Sequence, residues 1–167
     1  MNATPSILVG TSERTVWVKV EGKGSFLNST GLKEFAKEMT NRGYRDFVVD
    51  LAACPLMDST FMGTLTGMSL RLRELGQGGL RIMNLNERNR DLLTNLGLDQ
   101  LMSLDTPPAS LDAQPVQQIL PTEPPDKETR AETMLAAHED LVHANPANQA
   151  KFKDVLEYLR QDLNILR

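Results

Sequence analysis

Along the first hundred residues the apolar positions switch repeatedly between a strand-like period of two and a helix-like period of three to four, a pattern of alternating strands and helices rather than of a bundle or a sandwich. Ile7 to Val9 and Thr15 to Val20 read as two strands with a short hairpin turn at Gly10, Thr11 and Ser12. Leu32, Phe35, Ala36 and Met39 then fall at helix spacing, with Asn28, Ser29 or Thr30 as the cap and Gly43 as the stop. Arg45 to Leu51, with Phe47, Val48 and Val49 in succession, predicts a strand buried on both faces and central in its sheet. A loop through Cys54 and Pro55 leads to a helix opened by Asp58 and Ser59, whose wide apolar face carries Phe61, Met62, Leu65, Met68 and Leu72. Leu80 to Leu85 predicts another strand, Asn86 caps a helix bearing Leu92, Leu93 and Leu96, and Leu101 to Leu104 a last short strand.

Six prolines between Pro107 and Pro125 mark the next stretch as a linker. The organisation expected is therefore an α/β domain over residues 1–104, a Pro-rich linker over 105–125 and a helical C-terminal extension over 126–167. In that extension Asp126 caps a helix on which Met134, Leu135, His138, Leu141 and Val142 share a face. Asn145 and Pro146 form a corner, and Phe152, Val155, Leu156, Leu159, Leu163 and Leu166 line a second amphipathic helix. Two helices alone bury little, so they pack on the domain, on a second copy as a homodimer, or on a partner.

Charge and composition narrow the function. The 167 residues carry a net charge of −4, which repels a polyphosphate backbone and argues against nucleic acid as a direct partner. Residues 1–104 hold 12 basic and 11 acidic side chains, residues 121–167 hold 6 and 9, so the tail is the acidic part. No apolar run is long enough to span a membrane and no secretory leader is visible, so a soluble cytoplasmic protein without membrane partners is expected. The single cysteine excludes an intrachain disulfide and a cysteine zinc cluster. The two histidines, His138 and His143, are five apart, off the spacing of a paired metal site, so no metal and no cofactor is expected. No histidine precedes residue 138, no Ser–His pair exists within the domain and there is no Gly-rich phosphate loop; the sequence does not read as an enzyme.

The informative segment is Met57, Asp58, Ser59, Thr60, at a helix start directly after the central strand. Asp58 serves there as an N-cap, and the helix end also offers amide donors and positive potential to a phosphate on Ser59. Two readings stand for Cys54, a reactive thiol or a small core residue, and two for Asn28, Ser29 and Thr30, partner contact or capping. Asp50 and Asp58 as paired acids is weaker than Asp50 simply ending its strand.

With the elements in this order, the Met-Asp-Ser-Thr stretch resembles the STAS domain family, in particular bacterial anti-sigma factor antagonists, over about residues 6–104. Val48, Val49, Asp50 and Leu51 resemble the family's strand, Asp58 and Ser59 its pair, Gly63 its later glycine, and Asn95 to Asp99 its exit from the third helix. The resemblance implies a STAS-like mixed sheet flanked by helices. It also implies a non-catalytic module whose Ser59, with Thr60 in reserve, is phosphorylated by a kinase-type anti-sigma factor and released by a serine phosphatase. Partner contacts are then expected at Asp58, Thr60, Phe61, Met62, Asn28 and Ser29. Phe61 departs from the glycine common at that place, which implies a bulkier, more apolar partner surface. The alternatives are a scaffold that oligomerises through the tail and a small-ligand or nucleotide sensor.

Overall fold

The computed structural model describes residues 5–104, 118–120 and 125–166. The strands β1 (Ser6–Ser12), β2 (Thr15–Glu21), β3 (Asp46–Ala53), β4 (Gly79–Met83) and β5 (Gln118–Ile119) form one five-stranded sheet in the order β4-β3-β2-β1-β5. β3 is an interior strand, buried as expected but next to the edge strand β4 rather than at the centre, which β2 occupies; it runs parallel to both β2 and β4, while β1 is antiparallel to its neighbours. The hairpin turn begins three residues beyond the expected position: β1 continues through Ser12, which pairs with Thr15, and Glu13 adopts a φ of 53° in the turn. Thr11 and Ser12 are extended because each finds a ladder partner on β2, which local turn preference does not register. The expected strand at Leu101 to Leu104 is reduced to one bridge, in which Ser103 exchanges hydrogen bonds with Leu80 and Ile82.

Most of the expected linker lies outside the described residues. Within it, Gln118 and Ile119 pair with β1 and Leu120 donates its N–H to the Ile7 carbonyl, covering that sheet edge.

The helices are α1 (Phe26–Asn41), α2 (Ser59–Glu74), α3 (Glu87–Asn95), α4 (Lys127–Ala144) and α5 (Asn148–Leu166), with a 3-10 turn at Leu98–Gln100. Leu32 and Met39 of α1, with Phe61, Leu65, Met68 and Leu72 of α2, meet Val16, Val18, Phe47 and Val49 of the sheet in one core, while Trp17, Val48 and Met83 cluster on the opposite face. α1 begins earlier than expected because Ser25 is its cap. The Ser25 hydroxyl accepts from the Leu27 N–H, and the Asn28 side chain accepts from the Ser25 N–H in a reciprocal capping box.

α2 is buried almost all round, from Thr60 through Thr66 and again at Met68, Ser69 and Leu72. The sheet accounts for one side. α4 lies along the other, and α5 packs on α4. The tail therefore folds back on the domain. The α4 face that does so matches the expected one at His138 and Leu141 and differs elsewhere: Ala131, Thr133 and Ala137 are buried, whereas Met134, Leu135 and Val142 are only half-buried. The reason is the partner surface. A Cβ at Gly63 would land on the Ala137 carbonyl and one at Gly67 on the Asp140 carboxyl, so α2 presents a shallow groove that small side chains fill most closely. The α4–α5 corner is tied to the end of α3 as well. Buried Asn148 donates from Nδ2 to the carbonyls of Leu96 and Leu141 at 3.0 and 2.9 Å, and Lys151 reaches the Asn95 carbonyl.

Among the described residues no helix is long and apolar enough to cross a membrane, and no group of three or more His, Cys, Asp or Glu side chains could hold a metal ion.

Leu156, Leu159 and Leu163 of α5 are each at most 3% exposed. Replacing Leu159 with Asp puts a charge into that seam and should cost on the order of 3 kcal/mol. Hydrogen exchange should then show α5 amides losing protection ahead of those of β3; unchanged protection of α5 would mean that another contact holds it.

Candidate functional site

The site is built where the loops leaving β2 and β3 meet. Gly24 accepts a hydrogen bond from the Asp58 N–H and donates one to the Leu56 carbonyl, and a Cβ on Gly24 would strike the Phe61 ring, so the two loops are laced at backbone distance. This brings the starts of α1 and α2 together over the Asp58 carboxylate. Oδ1 accepts from the Phe61 N–H at 2.8 Å as the N-cap of α2, and Oδ2 accepts from the Phe26 N–H at 2.9 Å in the first turn of α1. One carboxylate thus answers the positive ends of two helices.

Ser59 is the first residue of α2 and is half-buried. Its Oγ lies 2.8 Å from Nε2 of His138, on α4. The proton positions follow from the far side of the ring: Nδ1 lies 2.6 Å from the Met134 carbonyl, which can only accept, so Nδ1 carries the hydrogen. In the neutral ring Nε2 is then an acceptor and the serine hydroxyl donates to it. Burial favours that neutral form by pushing the imidazole below its ordinary value, against the opposing pull of the Met134 carbonyl and the Asp58 charge. His138 is 2% exposed, and the Phe152 ring of α5 meets it edge-on at 5.1 Å between centroids.

The pair has the polarity of a nucleophile and a base, but the outer nitrogen rests on a backbone carbonyl rather than on a carboxylate. The absence of a Ser–His pair within residues 1–104 is correct as far as it goes; the tail supplies the histidine from 79 positions away. Its signal in the sequence was a polar side chain on the apolar side of α4.

The other candidates are placed as follows. Thr60, Phe61 and Met62 are 3%, 0% and 4% exposed and face inward on α2. Asn28 and Ser29 are buried in the first turn of α1, where the Ser29 hydroxyl donates to the Ser25 carbonyl and the Asn28 amide to that of Lys23. Thr30 is buried too and donates to the Thr133 hydroxyl of α4 at 3.0 Å. Asp50 accepts from the Ala52 N–H and the Asn84 amide, which ties the end of β3 to the end of β4. Cys54 is 1% exposed, and burial pushes its thiol up, so it is a core residue with a poorly ionised sulfur. At the same end of the molecule Leu27, on the first turn of α1, is 56% exposed, an apolar residue that sequence reasoning passed over because it lies off the buried stripe.

A cavity of about 330 Å³ lies between α1, α2 and α4, lined by Ala36, Phe47, Met68, Leu72, Ala137 and Asp140 among others, with Lys33, Lys37 and Arg71 around it. Burial pushes the Asp140 carboxyl up to about 6, moderated by Lys33 of α1 and His143 and reinforced by Glu139 and by Glu74 of α2.

A parallel β2-β3-β4 core with an antiparallel hairpin strand, and an Asp-Ser pair opening the helix after β3, define a mixed α/β domain. The chain belongs to the STAS domain family, which matches residues 6–112. The match ends before α4 begins. Among solved structures, the phosphorylated form of SpoIIAA, a Bacillus cell fate determinant, is similar at 17% identity, with 64% of this chain and 96% of that chain covered and a TM-score of 0.53. The anti-sigma factor antagonist SpoIIAA in its unphosphorylated form gives 17%, 64%, 93% and 0.56. An anti-sigma factor antagonist from Mycobacterium paratuberculosis gives 18%, 64%, 90% and 0.54. At these identities the likeness is one of fold. No curated protein sequence matches the chain.

Two predictions test this geometry. Asp58→Ala removes the acceptor for both helix ends and should lower stability by about 2 kcal/mol, with Asp58→Asn intermediate, as read by urea denaturation; equal stability of the alanine variant would mean that water replaces both bonds at no cost. Asp140 titrates higher in the folded chain than in the unfolded one, so its charge opposes folding above about pH 6 and ceases to do so as the pH falls toward its ordinary value. Asp140→Asn should therefore raise stability near pH 8 by on the order of 1 kcal/mol, a figure discounted for the solvent screening of a half-buried group, and the gain should shrink at about pH 4. A gain that does not change with pH would place the effect elsewhere.

Proposed function

We propose that this chain is a phosphorylation-switched anti-sigma factor antagonist of the cytoplasm. With Ser59 unmodified it binds a kinase-type anti-sigma factor; with phosphate on Ser59 it lets go, and a serine phosphatase resets it. The observation that carries this reading is the position of Ser59, first in α2, beside the shared Asp58 cap and after the loop that leaves the carboxyl end of β3. Thr60, the reserve candidate, points into the packed side of the helix. The fold neighbour SpoIIAA is known in both phosphorylated and unphosphorylated forms, so this fold accommodates such a modification.

The chemistry assigns the chain the part of substrate. The Ser59 oxygen bonds to the γ-phosphorus of ATP held by the partner, the bond from that phosphorus to the β-γ bridging oxygen breaks, ADP leaves, and the hydroxyl proton passes to a base of the kinase. The product carries about −1.5 to −2 charges, which the N-terminal end of α2 tolerates and which a protein surface pressed against Asp58 and Ser59 does not. On the chain's side that surface includes exposed Leu27 and Pro55, and the buried candidates at Asn28, Ser29, Phe61 and Met62 support it from beneath.

Peptide mapping of the chain purified from its own host, and after incubation with the kinase-type partner and ATP, should find phosphate on Ser59. Ser59→Ala should fold, accept no phosphate and retain binding, whereas Ser59→Asp should bind at least tenfold more weakly by calorimetry. Phosphate on Thr60 would move the site by one residue, and none anywhere in residues 57–64 would sink the switch.

A further inference from the structure

We infer that the α4–α5 hairpin is an intramolecular gate on Ser59: the docked hairpin and a phosphate on Ser59, or a partner seated over it, exclude one another. The inference deepens the reading of Ser59 as the modified residue and rests on it.

The first ground is steric. The Ser59 oxygen sits 2.8 Å from a ring nitrogen that is itself inside the protein, 2% exposed, with the Met134 carbonyl on one side and the Phe152 ring on another. A phosphorus bonded to that oxygen, with three further oxygens around it, needs the volume the imidazole now fills. A kinase active site has to bring ATP in line with the same oxygen, and α4 stands in that approach. The second ground is electrostatic. The docked ring offers the serine a lone pair, which receives a hydroxyl proton well and repels a phosphate oxygen. Were the ring to take a second proton to meet the phosphate, it would do so where burial disfavours the charge.

The third ground is that the docked state is built to open. α4 closes on α2 with Ala137 over Gly63 and Asp140 over Gly67, and on α1 through the Thr133 hydroxyl, small or polar groups that bury little apolar area each, so that Leu141 carries most of its buried apolar contact. A cavity of about 330 Å³ remains beneath it, so part of the dispersion gain of a full contact is forgone. Asp140 adds a half-buried carboxyl that is charged at neutral pH at some cost. Along the Ala137–Asp140 edge the contact is specific in geometry but incompletely filled, which suits local opening of that edge without unfolding of the sheet.

The test needs no identified kinase. Phosphoserine is placed at position 59 of the full chain by amber suppression, and α4 is followed by hydrogen exchange. The hairpin amides should exchange at least tenfold faster than in the serine chain while those of β2 and β3 stay unchanged; Ser59→Ala, which removes only the hydrogen bond, should leave α4 protected. A second readout uses Thr30→Cys with Thr133→Cys, positions whose hydroxyls meet at 3.0 Å, in a chain whose native Cys54 is buried. Under a mild oxidant the staple should close at least tenfold more slowly with phosphoserine at 59 than with serine. Equal exchange and equal closure would overturn the gate whether or not Ser59 is phosphorylated in the host. Slow closure with no phosphate ever found on Ser59 in the host would overturn the modification reading and leave the exclusion standing.

Discussion

The close crossing of α4 over the glycine side of α2 sets the rest of the arrangement. Two missing side chains, at Gly63 and Gly67, let the backbone of one helix approach the other until the Ala137 carbonyl lies where a Cβ would be. That separation turns α2 from a surface helix into an interior one, carries His138 down to Ser59, and leaves α5 to cover His138 and α4 from outside. It also sets the corner at Asn145 to Asn148 against the carbonyl end of α3, where a buried asparagine satisfies a helix end that would otherwise face the packed tail.

At the site itself the division of labour is electrostatic. Asp58 gathers two helix ends on one carboxylate, which holds the loops after β2 and β3 in a single geometry. The tail then presents a neutral imidazole whose free lone pair matches a hydroxyl and mismatches an anion. In the proposed switch these two contacts act in opposite senses. The helix end accepts the added charge, and the tail does not, so modification would be read out as a movement of α4 rather than as damage to the domain.

The alternation of β-branched runs and helix-spaced leucines placed β1 to β4 and α1 to α5 within a few residues, because each of these segments carries its own period. The caps at Asp58, Asn86 and Asp126 were legible for the same local reason: a short acceptor side chain before an apolar helix meets a backbone N–H of the next turn. The errors were also local in kind. The cap of α1 is Ser25 and not Asn28, Ser29 or Thr30, and Asn28 is the reciprocal partner in the same capping box. Gly10, Thr11 and Ser12 carry turn preferences, and their strand pairing with Trp17, Val16 and Thr15 lies across the hairpin. On α4 the expected face holds at His138 and Leu141, but its other members, Met134, Leu135 and Val142, are half-buried, and the small Ala131, Thr133 and Ala137 take their place against the groove.

By itself the sequence determined what depends on neighbours a few positions away: the order and type of the elements, the helix start at Asp58, and the placing of Ser59 on it. It also marked the tail as amphipathic and therefore in need of a surface. Which surface, and what that does to Ser59, was decided by tertiary structure alone. The side chains concerned are 79 positions apart, and nothing in the period of α4 distinguishes a histidine that packs from one that meets a serine. That choice is made by the depth of the groove along α2, a property of the backbones of two helices brought together, which a one-dimensional pattern of apolar and polar positions does not contain.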